Sequence, residues 1–377
     1  MPIAMTPSPP PSDRARILFL GDDITYNPTL YQRLTSQFDI VHPPPADLQR
    51  PAFLQHLRDG SWGRFQAIMR PSWHTGGEMG NWDEELIRLL PPGLKVYASA
   101  GAGYDWVDVF ALAKRGILYC NGAGASTEAV GDMALWHIIS VFRNMASSFL
   151  AARSMDPKQF SRAHHDLPAT SYNPRGHTLG IVGLGNIGYA IALKAYAAFG
   201  MKILYHDIVR KCPEQEALVQ AEFHPSIGSM LRKTDCLLLA TPSTLGGRPF
   251  LTSELIAQLP PGARFVNIAR GSLVDEDALA EALESGQLAA AGLDVHASEP
   301  HVNERMVNMP NVTMTCHTGG GAVETKTAFE QLAMENVERV LKGMEALTAV
   351  NGHLIKESMT NGHANGHATN GDWNRAL

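Results

Sequence analysis

Few folds accommodate the run Thr178-Leu-Gly-Ile-Val-Gly-Leu-Gly-Asn-Ile-Gly188. A short apolar stretch, Leu179 to Val182, enters Gly183-Leu-Gly185-Asn186-Ile187-Gly188, and an amphipathic pattern from Tyr189 to Phe199 follows at once. This reads as a strand, a glycine turn and a helix. Gly183 permits the tight turn, Gly185 lets a pyrophosphate approach the backbone, and Gly188 lets helix and strand pack closely. The helix start then presents unpaired N–H groups and partial positive charge to the phosphates.

The flanking sequence agrees with a dinucleotide site. Met201-Lys-Ile-Leu-Tyr-His206 reads as the next strand and ends at Asp207, 19 residues past Gly188. That is close to the spacing of an acid that holds a ribose 2′-OH. An acid there repels a 2′-phosphate, so NAD is favoured and NADP is secondary. Arg210 and Lys211 stand close enough to soften the preference.

Apolar runs alternate with amphipathic ones from Arg16 onward, the pattern of parallel sheets covered on both faces. Strands are expected at 16–21, 40–41, 65–70, 95–98 and 117–120 before the glycine unit. Further strands are expected near 223 and at 235–240, 264–269, 290–295 and 312–315 after it. One helix is expected from Thr127 to about Ala152, a surface excursion over 153–176, and a closing helix from Ala322 to about Leu347. Thr252 and Asp275 are expected to cap helices. The fold class is therefore α/β: two Rossmann-like or flavodoxin-like parallel-sheet domains joined by a hinge, the dinucleotide-binding one central. We expect residues 15–123 and 321–355 to form a substrate-binding domain and 124–320 the NAD-binding domain. Residues 1–14 and 356–377, the latter with repeated Asn-Gly-His, are expected to be disordered tails. Ligands would bind at strand C-terminal ends, in a cleft.

The net charge of −6 over 377 residues argues against non-specific nucleic-acid binding. No apolar run is long enough to span a bilayer. The four cysteines form no C-x-x-C pair and read as reduced thiols of a cytoplasmic protein. No metal site is read from the chain.

Three polar residues stand just beyond apolar runs of the second half. Arg270 follows Asn267-Ile-Ala, Glu299 ends Gly292-Leu-Asp-Val-His-Ala-Ser-Glu299, and His317 follows Thr313-Met-Thr-Cys. Hydride transfer to a 2-oxo acid needs a cation for the carboxylate and carbonyl, an acid for the developing alkoxide, and a partner that keeps that acid charged. Arginine, histidine and glutamate fit those tasks. Singly, each has a plainer role: a surface ion pair, a satisfied polar residue, a turn. Their conjunction beside the glycine turn points to chemistry.

These motifs, with His317-Thr-Gly319-Gly320, resemble those of the D-isomer-specific 2-hydroxyacid dehydrogenase family over about residues 16–350, and within it the fungal D-mandelate dehydrogenases. The resemblance implies that Arg270 binds substrate, His317 is the general acid/base and Glu299 hydrogen-bonds its ring. It implies a carboxylate-binding loop at Ala102 and Gly103. It also implies cofactor contacts at Thr127, Thr241, Pro242, Ile268, Asp294, Gly319 and Gly320, and a homodimer formed through the nucleotide domain. The formate dehydrogenase branch carries Gln in place of Glu299, which argues against that branch. Trp73, after the third strand, could pack on a phenyl or branched group or close its own domain's core; Met79 and Trp82 are further candidates. The expected substrate is a bulky 2-oxo acid, benzoylformate or a branched-chain one. The alternative is an NAD-regulated scaffold, since C-terminal-binding corepressors share this fold and residue set.

Overall fold

The computed structural model describes residues 14–72, 79–243 and 249–361. They fall into two compact units. One takes the chain as far as Ala125 and resumes at Val323; the other runs from Ser126 to Ala322.

The first unit is a parallel sheet of β1 (Arg16–Phe19), β2 (Asp39–Val41), β3 (Ala67–Arg70), β4 (Val96–Ser99) and β5 (Leu118–Cys120), in the order β2-β1-β3-β4-β5. Side chains alternate across a strand, and the two faces build separate cores. Ile17, Phe19, Met69, Val96 and Ala98 join Leu34 and, from the closing helix Val323–Leu341, Ala333, Met334 and Val337. Leu18, Leu20, Ile68, Tyr97 and Tyr119 pack with Phe53, Leu86 and Leu112 of helices on the other face. Met79 and Trp82, read as substrate-side candidates, are fully buried in this second core. Trp73 lies outside the described residues.

The second unit holds seven parallel strands: β6 (Thr178–Val182), β7 (Lys202–His206), β8 (Glu222–Phe223), β9 (Cys236–Leu239), β10 (Ala263–Asn267), β11 (Leu288–Leu293) and β12 (Val312–Met314). Their order is β12-β11-β10-β9-β6-β7-β8. The order reverses at β6, with β9 on one side and β7 on the other. The loops leaving β6 and β9 therefore diverge, which makes a crevice at the strand C-terminal ends.

Several local expectations are corrected. The helix expected from Thr127 to Ala152 is two, Thr127–Arg143 and Met145–Arg153. Asn144 between them is left-handed, with φ 51°, and its Nδ2 donates to Thr170 Oγ1 and Ser171 Oγ. Asparagine tolerates that conformation and breaks the helix there. The expected surface excursion contains the helix Pro157–Asp166, capped by Asp156 accepting from the Lys158 N–H. The closing helix stops at Leu341, just before Gly343 with φ 75°. Asp275 caps its helix through the Ala278 N–H, but the Thr252 hydroxyl donates to Glu254 instead of accepting from the backbone. The tail expected from 356 is helical as far as Asn361, in Gly352–Asn361. Buried Asn351 anchors it by donating to the Val109 and Ile117 carbonyls and accepting from the Tyr119 N–H.

Candidate active site

The glycine turn has the dimensions its sequence demands. Gly183 sits at φ 89°, and a Cβ there would lie 2.9 Å from the Ala240 carbonyl oxygen and 3.0 Å from Thr241 Cα. A Cβ on Gly188 would lie 2.1 Å from the Gly183 carbonyl oxygen, so helix and turn touch backbone to backbone. Gly185 differs: nothing lies within 4 Å of a Cβ built on it. Asn186 and Ile187 open the helix Asn186–Lys194, whose first N–H groups have no partner within the helix. The residues thus fit a bound pyrophosphate: two glycines are required by packing, and the third faces open space.

At the end of β7, Asp207 Oδ2 accepts from the Leu184 N–H at 2.8 Å, which ties the acid to the glycine turn. Thr241 and Pro242 follow β9, on the other side of β6. Ile268 is buried just past β10.

Arg270, Glu299 and His317 follow β10, β11 and β12, three neighbouring parallel strands. Asn267 pairs with Leu293, and Leu293 with Met314. Arg270 and His317 are therefore each three residues beyond positions in register, two strand spacings apart, roughly 10 Å at the sheet edge. Asn267 shapes the first loop: its Nδ2 donates to the Arg270 carbonyl and its Oδ1 accepts from the Ala269 N–H. Arg270 Nη1 donates to the Ala269 carbonyl at 2.9 Å. A Cβ on Gly271 would lie 1.9 Å from the His296 carbonyl carbon, so the β10 and β11 loops are in direct contact.

His317 Nδ1 is 2.9 Å from Glu299 Oε2, and Glu299 Oε1 accepts from the His296 N–H at 2.9 Å. An ionised carboxylate only accepts, so Nδ1 carries the proton it shares, and Nε2 is the ring nitrogen that this pair leaves over. Burial alone would raise the Glu299 carboxyl, but the His317 ring and the His296 N–H outweigh it and hold it below the usual range. His317 is left-handed, at φ 52°. Such a backbone persists where its surroundings fix it.

Asp294 does the fixing. Its carbonyl accepts from the His317 N–H at 2.7 Å, and its buried carboxylate accepts from the N–H groups of Thr318 and Gly319. The Thr315 hydroxyl donates to the same carboxylate at 2.6 Å, and His137 Nε2 lies 3.2 Å from that hydroxyl. His296 Nε2 meets the Thr315 carbonyl at 2.9 Å. A Cβ on Gly319 would strike Asp294 Oδ2, and one on Gly320 would press on Ser126, the residue before Thr127. Asp294, Gly319, Gly320 and Ser126 are thus part of one packed loop system just ahead of the helix that begins at Thr127.

Sequence reasoning missed Thr315, His296 and His137. Thr315 falls at the end of an expected strand, one residue past β12. His137 had one available signal: it lies at the i+7 position of the apolar stripe Val130, Ala134, Val141, where a polar residue needs a partner. In the first unit Ala102 and Gly103 follow β4, and the Ala102 carbonyl accepts from Asn121 Nδ2 at 2.8 Å.

Comparison with known proteins agrees with this architecture. The profile described as the NAD-binding domain of D-isomer specific 2-hydroxyacid dehydrogenases matches residues 135–319. A glyoxylate reductase of Thermococcus litoralis is 34% identical over 73% of this chain and 82% of its own length. The 4-methyl-2-oxopentanoate reductase A of Aspergillus oryzae is 31% identical over 88% of this chain and 97% of its own. The holo crystal structure of Rhodotorula graminis D-mandelate dehydrogenase superposes with a TM-score of 0.86, at 39% identity over 89% of this chain and 97% of that one. The chain is thus an NAD(P)-binding oxidoreductase with two parallel-sheet α/β domains, and it belongs to the D-isomer-specific 2-hydroxyacid dehydrogenase family.

Proposed function

We propose that this protein reduces a bulky 2-oxo acid, aromatic or branched, to its D-2-hydroxy acid, with NADH preferred. The observation that carries the reading is the Glu299–His317 pair at the edge of the sheet that holds the glycine turn. Bound nicotinamide supplies the hydride; the chain's residues do the rest. Arg270 offers a planar fork to the substrate carboxylate and polarises the carbonyl. His317 delivers its Nε2 proton to the developing alkoxide and retrieves it in the reverse direction. Glu299 holds the ring in orientation through Nδ1. The Ala102–Gly103 loop binds carboxylate through its backbone N–H groups. Asp207 takes the adenosine ribose hydroxyls. Thr127, Thr241, Pro242, Ile268, Gly319 and Gly320 border the cofactor. The bulk of the substrate is argued from the similarity to the mandelate and 4-methyl-2-oxopentanoate enzymes.

The test is a panel of 2-oxo acids of graded size, each with NADH and NADPH. Saturable turnover rising from glyoxylate to benzoylformate or 4-methyl-2-oxopentanoate supports the reading. A preference for glyoxylate overturns the substrate assignment. Nucleotide binding with no turnover of any 2-oxo acid returns the protein to the scaffold alternative.

Self-association through the second unit is part of the proposal. Phe149, Leu150, Met155 and Phe160 are strongly exposed on and between the helices Met145–Arg153 and Pro157–Asp166. Clustered exposed apolar side chains of this size mark an interface, and sedimentation as a single 41-kDa species would refute a homodimer. A cytoplasmic location is proposed from four free cysteines, of which burial pushes Cys120 and Cys236 up to about 12. No helix among the described residues is long and apolar enough to cross a membrane.

A further inference from the structure

Two cations follow the acid at the end of β7, and either would suit the 2′-phosphate of NADP. Arginine near this acid is the usual means of accepting that phosphate. In this chain the arginine is already committed. Arg210 Nε donates to Glu216 Oε1 at 2.9 Å and Nη2 donates to Glu216 Oε2 at 2.8 Å, a bidentate pair that uses one whole edge of the guanidinium fork. The guanidinium also lies over the Phe223 ring, 5.6 Å from its centroid.

Glu216 is itself held. It sits on the helix Pro213–Val219, is largely buried, and accepts from the Tyr205 hydroxyl at 2.5 Å. That hydroxyl in turn accepts from the Lys211 N–H at 2.9 Å. The carboxylate is therefore fixed from β7, from its own helix and from the loop between them. Lys211 Nζ lies 3.8 Å from Asp207 Oδ2, close enough to offset part of that acid's charge.

We propose that Glu216 is a coenzyme-specificity residue: by anchoring Arg210 it denies a 2′-phosphate its guanidinium partner and leaves Asp207 to select NAD. NADP would have to displace a fixed carboxylate from the fork while facing the Asp207 charge. The inference rests on the assignment of Asp207 to the ribose. It adds a residue nine positions further on, on a different element, whose effect runs through Arg210.

The test measures Kd for NAD+ and NADP+ by calorimetric titration, with no turnover needed. Glu216→Gln keeps an acceptor for Tyr205 but gives up the charge that holds Arg210. The NADP+/NAD+ Kd ratio should fall at least tenfold in this variant and return to the wild-type value in Glu216→Gln/Arg210→Gln. An unchanged ratio in a Glu216→Gln protein that still binds NAD+ overturns the proposal, as does a gain that survives loss of Arg210. Arg210→Gln alone gives a reading that does not depend on how Glu216 variants fold. It should leave the ratio within twofold of wild type, and a tenfold loss of NADP+ affinity would show that Arg210 already serves the phosphate. Failure of the wild-type protein to bind either nucleotide would instead remove the cofactor reading itself.

Discussion

The imidazole of His317 and the carboxylate of Glu299 meet at 2.9 Å, from strands adjacent in one sheet and 18 residues apart in the chain. Their loops are kept in contact by hydrogen bonds that neither residue makes alone. His296 gives its N–H to Glu299 and its ring to the Thr315 carbonyl, so the β11 loop grips the β12 loop.

Glu299→Gln tests the pair. The amide has nearly the same shape and keeps an acceptor but has no charge, so the ring loses its counter-ion without losing packing. Turnover should fall about 10–100-fold, at or below the lower end of the range ascribed to a general acid–base group itself, because Glu299 acts through the His317 ring. The pH at half-maximal kcat should move as well. A variant with wild-type pH dependence and reduced kcat would mean that Glu299 acts only as a spacer.

Gly185→Ala and Gly188→Ala should fail in different ways. A methyl on Gly185 enters open space, so Tm should stay within about 2 °C while NAD+ binding weakens at least tenfold. A methyl on Gly188 collides with the Gly183 carbonyl, so stability should drop by about 1–3 kcal/mol, the cost of overpacking. Thermal melts with and without nucleotide separate the two; undiminished NAD+ affinity in Gly185→Ala would argue that no phosphate approaches that backbone.

His137 should impose an acid limit on stability. Burial pushes its ring down to about 4, against the opposing pull of Asp294, so it is neutral in the folded protein. An unfolded histidine titrates near 6.5. Its folded value being the lower, the stability it contributes is complete above about 6.5 and is lost as pH falls through about 4. Urea unfolding from pH 7 to 4 should show a steep fall for the wild type and a flatter one for His137→Gln. Parallel curves would show that the ring is not the group responsible.

Glu330 should matter to stability and not to chemistry. Its carboxylate accepts from the backbone N–H groups of Thr25, Tyr26 and Asn27 and from Asn27 Nδ2, just ahead of the helix Pro28–Gln37. Asn27 makes no side-chain cap of its own, so the acid takes over that service from some 300 residues away. Glu330→Ala leaves those donors without their partner and should destabilise the protein by about 1–3 kcal/mol. Denaturant melts decide it; an unchanged midpoint would mean that water substitutes fully.

Most strands were legible because they are buried on both faces and so appear as apolar runs, as in Cys236–Leu239 and Leu288–Leu293. Helix limits were less so. Nothing apolar marks Asn144, whose left-handed backbone ends one helix and starts the next. Pro157–Asp166 buries no residue, so it left no stripe to read. Trp82 shows the converse failure: offered as a further candidate for a ligand contact, it closes its own core beside Tyr97. The support beneath His317 was invisible for another reason. Asp294, Thr315 and His137 meet across 21 and 178 residues of chain, and periodicity carries no information about such meetings.

The first unit's sheet is covered on one face by a helix, Val323–Leu341, that follows the whole of the second unit in the chain. As the polypeptide leaves the ribosome, its opening strands therefore emerge without the segment that shields Ile17, Phe19 and Met69. Domains commonly fold in the order in which they are made; here the earlier-made one must wait for the later. A nascent chain stopped anywhere before Val323 would leave that apolar face only partly covered, by Leu34 and Phe38, and would call on a chaperone's cover that the finished protein does not need.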